Sequence, residues 1–126
     1  MKTEQDVLAL FETWNSALQT GDPDKVVECY ADNATLLPTV SNQVRHNPAE
    51  IRDYFVHFLA LKPSGTINES NIRIFDDVAI NSGVYTFDLT VDGEATSTTA
   101  RFTYVYQQID GKWVIIEHHS SAMPEG

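Results

Sequence analysis

An α+β fold, with helices packed on one face of a cone-like, curved antiparallel sheet, is predicted by three features of the chain. The first half carries apolar residues at helical spacing. From Thr66 the period drops to two and holds to Ser121. Two Asp-Gly pairs, Asp92-Gly93 and Asp110-Gly111, divide that second half into hairpins. Helices followed by strands give a helical layer on a meander, whereas alternating helices and strands would give a parallel sheet.

The 126 residues are expected to form one domain around one core. Hydrophobic residues make up 42% and charged residues 21%, which argues against a disordered chain. The longest apolar runs are a few residues, too short to span a bilayer. Acidic residues interrupt the opening MKTEQDVLALFETW, so it does not read as a secretory signal and a cytoplasmic location is expected. Eight Lys+Arg against eighteen Asp+Glu give a net charge of −10. Such a surface repels phosphate backbones and anionic lipids, so neither nucleic acid nor membrane is an expected partner. Cys29 is the single cysteine, which precludes an intrachain disulfide; beside Val26, Val27 and Tyr30 it reads as a small buried hydrophobe.

Thr3 and Asp6 form a capping-box pattern that starts the first helix. Val7, Phe11, Trp14 and Leu18 give it one apolar face, and Gly21 stops it. Asp22-Pro23 restarts a short helix that ends near Tyr30. Ala31–Asn33 reads as a turn and Thr35–Leu37 as a short extended piece before Pro38. Ser41–Asn47 is a polar loop. Asn47-Pro48-Ala49-Glu50 starts a third helix, with Ile51, Tyr54, Phe55, Phe58 and Leu59 as its stripe. Lys62-Pro63-Ser64-Gly65 ends it. Thr66–Phe75, Val78–Val91, Glu94–Gln108 and Lys112–Ser121 are the strands, and Gly83 is a bend or bulge point. In the first of these, Ile67, Glu69, Asn71, Arg73 and Phe75 share one face, with Ile72 and Ile74 on the other.

Asp-Gly suits a two-residue turn or a three-residue turn with a glycine bulge, and the choice moves the pairing by one residue. The bulged form is the preferred reading. It places Tyr85, Arg101, Thr103, Val105, Ile115, His119 and Ser121 on one face, taken as the pocket side. Phe102, Tyr104, Tyr106, Ile116 and His118 fall on the other, an aromatic row that a second copy of the chain would cover. Tight turns would instead move His118 to the side of Arg101, and Tyr85 to the side of Phe102.

Adjacent His118 and His119 point to opposite faces of a strand, so they do not chelate one ion and no metal or other cofactor is expected. His119-Ser120-Ser121 lacks the strand-to-helix elbow of a serine nucleophile. Arg101 has two readings: a structural pair with Glu69 or Glu117, or a positive group that recognises a carboxylate in the pocket. His119 is either a hydrogen-bonded structural histidine or a donor and proton carrier for the same molecule. Trp14, Tyr30 and Tyr85 have the apolar bodies and polar tips of cavity walls, though Trp14 also fits plain helix core.

Asp110-Gly111-Lys112-Trp113-Val114-Ile115 followed by His119-Ser120-Ser121 resembles the nuclear transport factor 2-like (cystatin-like) superfamily. Thr20-Gly21-Asp22, Tyr30-Ala31-Asp32, Leu36-Leu37-Pro38-Thr39, Asp53-Tyr54-Phe55, Ala100-Arg101-Phe102-Thr103 and His118-His119-Ser120-Ser121-Ala122-Met123-Pro124 narrow the resemblance. They are similar to bacterial relatives of the calcium/calmodulin-dependent protein kinase II association domain. The resemblance implies a cone-like barrel around three N-terminal helices, dimers or larger rings, and an arginine-containing pocket for small carboxylates. It carries over to Arg101; the family's second pocket arginine has no counterpart, Tyr85 lying near its place. The function implied is a stand-alone association-type domain that homo-oligomerises and binds a small polar or carboxylate ligand. Cofactor-independent isomerases, dehydratases and cyclases share the fold, which leaves an enzyme with His119 as acid/base and Arg101 as stabiliser as the alternative.

Overall fold

The computed structural model describes residues 3–125. Helix α1 spans Glu4–Gln19, and its start is the expected capping box: Thr3 Oγ1 accepts from Asp6 N and Asp6 Oδ2 accepts from Thr3 N. Gly21, at φ +74°, ends it in the left-handed region. Helix α2 is only Pro23–Val27, capped by Asp22. The chain then enters strand β1, Tyr30–Leu37. Ala31–Asn33 is therefore part of a strand, not a turn. Parallel pairing with the last strand supplies the hydrogen bonds that local sequence does not announce. Helix α3, Pro48–Phe58, is capped by Asn47 and followed by a single 3-10 turn at Leu59–Leu61.

Strands β2 (Ser64–Ile74), β3 (Val78–Val91), β4 (Glu94–Ile109) and β5 (Lys112–Ala122) complete one sheet in the order β1-β5-β4-β3-β2. The expected meander is present, and parallel β1 extends it at the β5 edge. Both Asp-Gly turns are the tight two-residue kind: Val91 pairs with Glu94 and Ile109 with Lys112. Asp92 and Asp110 stand at φ 51°, and the following glycines at φ 81° and 80°. Positive φ at both central residues gives the turn a twist that matches its strands.

Two further irregularities set the faces. Between Ile67 and Glu69 the β2–β3 register shifts, so Asn68 is extra and Ile67 joins Tyr85 on the inner face, apart from Glu69 and Asn71. Gly83 permits this close passage, because a Cβ there would lie 2.0 Å from the Glu69 backbone oxygen. Between Val105 and Tyr106 the β4–β5 register also shifts, leaving Ile116 as an extra residue in β5.

The helices lie against the inner face. Phe11 and Trp14 of α1 meet Tyr104, with ring centroids 6.2 and 5.7 Å apart. Phe55 of α3 meets Trp14 at 6.3 Å. The buried cluster takes in the α1 stripe, the α3 stripe and the inner residues Tyr85, Phe87, Phe102, Tyr104 and Tyr106. Asn15 clamps α1 to β2: its side chain donates to Gly65 O at 3.0 Å and accepts from Gly65 N at 2.8 Å. The pair satisfies a buried backbone donor and acceptor at the start of that strand.

Candidate functional site

Of the five residues singled out from the sequence, the structure gathers three and sets two apart. Trp14, Tyr30 and Tyr85 are buried together on the inner side of the sheet. Arg101 and His119 are exposed on the outer face, where Arg101 pairs with Val84 and Ser121, and His119 with Thr103. Tyr85 therefore does not share a face with Arg101 and His119, contrary to the expectation from the sequence. Tight turning at Asp92-Gly93 pairs Tyr85 with Ala100, one residue away from Arg101, and alternation then sends Tyr85 inward and Arg101 outward. The aromatic row Phe102, Tyr104 and Tyr106 likewise differs from the expectation: it packs under the helices, not toward a second copy. Ile115 joins it, pairing with Tyr106 below the bulge.

His118, which the preferred sequence reading placed on the face away from the pocket, stands at the centre. Only 3% exposed, it pairs with Tyr104 across the strands and stacks on that ring at 4.1 Å. Its Nδ1 lies 2.9 Å from Tyr30 Oη and its Nε2 lies 3.1 Å from Tyr85 Oη. Trp14 Nε1 donates to Tyr30 Oη at 3.1 Å. An indole N–H can only donate, so Tyr30 Oη accepts from it and sends its own proton to His118 Nδ1. The ring proton is then on Nε2 and goes to Tyr85 Oη. The opposite tautomer would strand the Tyr30 proton in the core at a cost of about 1–3 kcal/mol. Beside Tyr85 Oη stand the hydroxyls of Ser120 and Thr39, which bond one another, and the single Tyr85 proton continues the chain to one of them.

The electrostatics agree with this neutral relay. Burial, helped by neighbouring His119, pushes the His118 imidazole down from 6.5 to about 3. Burial also drives the Tyr30 and Tyr85 phenols up, so both keep their protons. The relay runs from the α1 core to a small cavity of about 10 Å³ between Trp14, Tyr54, Tyr85, His118 and Ser120. That is room for about one water.

Pro38 and Thr39 line the cavity and begin the loop that runs on to Asn47. Its anchor is Arg45, 8% exposed, which the sequence analysis did not single out. Arg45 Nη1 bonds Asp53 Oδ2 at 2.8 Å and Glu50 O at 3.0 Å, and the guanidinium lies 5.7 Å from the Tyr54 ring centroid. Hydrogen bonding from Arg45 holds the Asp53 carboxyl below its ordinary value. Arg45, Tyr54 and Phe58 also line a surface depression of about 280 Å³, which shares Tyr54 and Phe58 with the cavity. The one sequence signal was an arginine inside a loop leading to Asp53-Tyr54, too short a pattern to separate it from a solvated loop charge.

Among the described residues, the Asn81 amide and the Tyr104 and Tyr106 hydroxyls are buried without a hydrogen-bond partner. They lie on the same inner face as His118 and make the sheet floor a neutral polar surface under an aromatic roof.

A family model for the calcium/calmodulin dependent protein kinase II association domain matches residues 3–124. A solved Xanthomonas campestris protein assigned to that domain is 52% identical, with a TM-score of 0.97 over 100% of this chain and 91% of its own. The association domain of the Caenorhabditis elegans kinase (C. elegans CaMKII) is 17% identical, with a TM-score of 0.76 over 94% of this chain and 95% of its own. A Novosphingobium aromaticivorans nuclear transport factor 2-like protein of cystatin-like fold is 11% identical, with a TM-score of 0.77 over 100% and 94%. At these last two identities the likeness is one of fold.

Proposed function

Because the chain belongs to the calcium/calmodulin-dependent protein kinase II association domain family, we propose that it assembles with copies of itself through the outer face of its sheet. We further propose that it holds a small polar or carboxylate molecule at the cavity over His118.

The observation that carries the first part is the outer face itself. Ile80, Val84 and Val105 are half-buried there, interleaved with Thr103, Arg101, Glu117 and His119. Apolar residues among a few charges of both signs make a surface that can close on a symmetric copy. Arg101 and His119 thereby serve assembly in this reading, not the cavity.

The relay supports the second part. At its cavity end Tyr85 and Ser120 present neutral hydroxyls, and the Trp14–Tyr30–His118 bonds behind them hold Tyr85 in position, which suits a small hydrogen-bonding molecule. Among the described residues no lysine or arginine lines the cavity; Arg45, in the depression that shares Tyr54 and Phe58 with it, is the nearby cation in place of Arg101. A ligand larger than one water enters when the Pro38–Asn47 loop yields.

Light scattering at micromolar concentration tests assembly, and a monomer there would sink that part. Thermal-shift measurements with acetate, malonate and benzoate test binding. Stabilisation by one of them, lost in Tyr85→Phe and kept in Arg101→Ala, is the expected result. A shift that survives Tyr85→Phe but vanishes in Arg101→Ala would contradict the cavity as the site.

A further inference from the structure

A larger concavity lies elsewhere, on the other flank of α1, and shares no lining residue with the cavity over His118. It measures about 320 Å³, inside the range of small-molecule sites. Helix α1 builds one wall from a second stripe, Leu10, Thr13 and Ala17, at i, i+3 and i+7, beside the stripe that fills the core. The inner face of the β4–β5 hairpin builds the other from Tyr106, Trp113 and Ile115.

The cleft ends at a rim with two lysines, Lys25 and Lys112. Four lysines and four arginines are all the cationic side chains of a chain carrying −10, so two at one rim are a local reversal of sign. Lys112 Nζ donates to the Glu28 backbone oxygen at 3.3 Å, which holds it at the rim. Lys25 lies 4.0 Å from the Glu28 carboxylate, an exposed pair with donors to spare. Glu28 thus offsets one of the two charges and leaves a net positive edge above an apolar trough.

From this we infer a second binding site, for a small amphipathic anion: a medium-chain or aryl-alkyl carboxylate whose tail lies between α1 and Trp113 and whose head meets Lys25 and Lys112. The apolar walls supply affinity and the lysines supply orientation and preference for an acid.

The two tryptophans separate this site from the one over His118, since Trp113 lines the cleft and Trp14 belongs to the relay. Octanoate titrated into the ¹⁵N-labelled full chain should move the Trp113 Nε1–H signal and the Thr13 and Ala17 amides, and leave Trp14 Nε1–H in place. Lys25→Gln with Lys112→Gln should weaken octanoate about fivefold, the scale of two exposed charge contacts. 1-Octanol should bind with little change between the two proteins. Ala17→Leu, which fills the trough without touching the lysines, should block both probes. The inference is overturned if octanoate moves Trp14 Nε1–H in place of Trp113, or moves neither at millimolar concentration. Equal binding by wild type and the double variant overturns it too. So does a cleft covered by a second copy, in which case dilution of the protein and not octanoate moves Trp113.

Discussion

His118 and His119 are neighbours in one strand and live in opposite worlds. His118 is sealed under Trp14 and Tyr104, neutral, with both ring nitrogens bonded. His119 is exposed among Thr103, Glu117 and Arg101. The contrast extends to the whole sheet. Its inner face is aromatic and closed over a relay of neutral hydrogen bonds; its outer face alternates valines, threonines and charges. One sheet therefore divides its labour by the pleat, and a shift of one residue would exchange the two roles.

The steepest break in that contrast is expected with acid. The folded His118 imidazole titrates at about 3 and the unfolded one at its ordinary 6.5. Between those values the unfolded chain takes a proton that the folded chain refuses. Stability from this group is complete above about 6.5 and is lost as pH falls toward 3, at up to ~1.4 kcal/mol per pH unit. Urea unfolding across this window should show the slope, and His118→Gln should flatten it. In NMR titration the His118 ring signals should remain those of neutral imidazole down to about pH 4.

At neutral pH, His118→Ala removes an acceptor for Tyr30 and a donor for Tyr85 and opens a void. It should cost about 3 kcal/mol, whereas His119→Ala should stay within about 0.5. Equal midpoints in chemical denaturation would erase the distinction between the faces. A smaller test stays within the inner face. Tyr30→Phe leaves Trp14 Nε1 without its acceptor and should cost about 1–2 kcal/mol. Tyr106→Phe deletes a hydroxyl that has no partner among the described residues and should be neutral or stabilising. Smallest of all is Arg101→Ala, whose effect on the stability of the fold should stay within about 0.5 kcal/mol.

Local chemistry made much of the fold legible. Thr3, Asp22 and Asn47 each announce a helix start, because their side chains satisfy amides that the helix leaves open. The Asp-Gly pairs announce the hairpins. Strand β1 was harder, since its pairing with β5 spans the chain and leaves little trace in Tyr30–Leu37. The site was less legible still, because it depends on register. Both hairpins turn one residue tighter than expected. In β5 the bulge at Ile116 then shifts the pairing back, so Arg101 and His119 do share a face, and Phe102, Tyr104 and His118 share the other. No such bulge compensates in β3, so Tyr85 changed sides and took the inner face with it. An Ile-Ile pair gives no local sign that one of the two is extra. Arg45 escaped notice for a different reason: its partners Asp53 and Glu50 belong to the next helix, and only the folded loop brings them within reach.

The division of the sheet into a closed inner face and an assembling outer face is tested most directly by light scattering of Val84→Glu beside wild type. Val84 is half-buried on the outer face and pairs with Arg101, so the new carboxylate gains a partner within its own chain. Wild type should be a dimer or larger, and the variant a folded monomer with the circular dichroism of wild type. A variant that assembles as wild type does would contradict the outer face as the assembly surface.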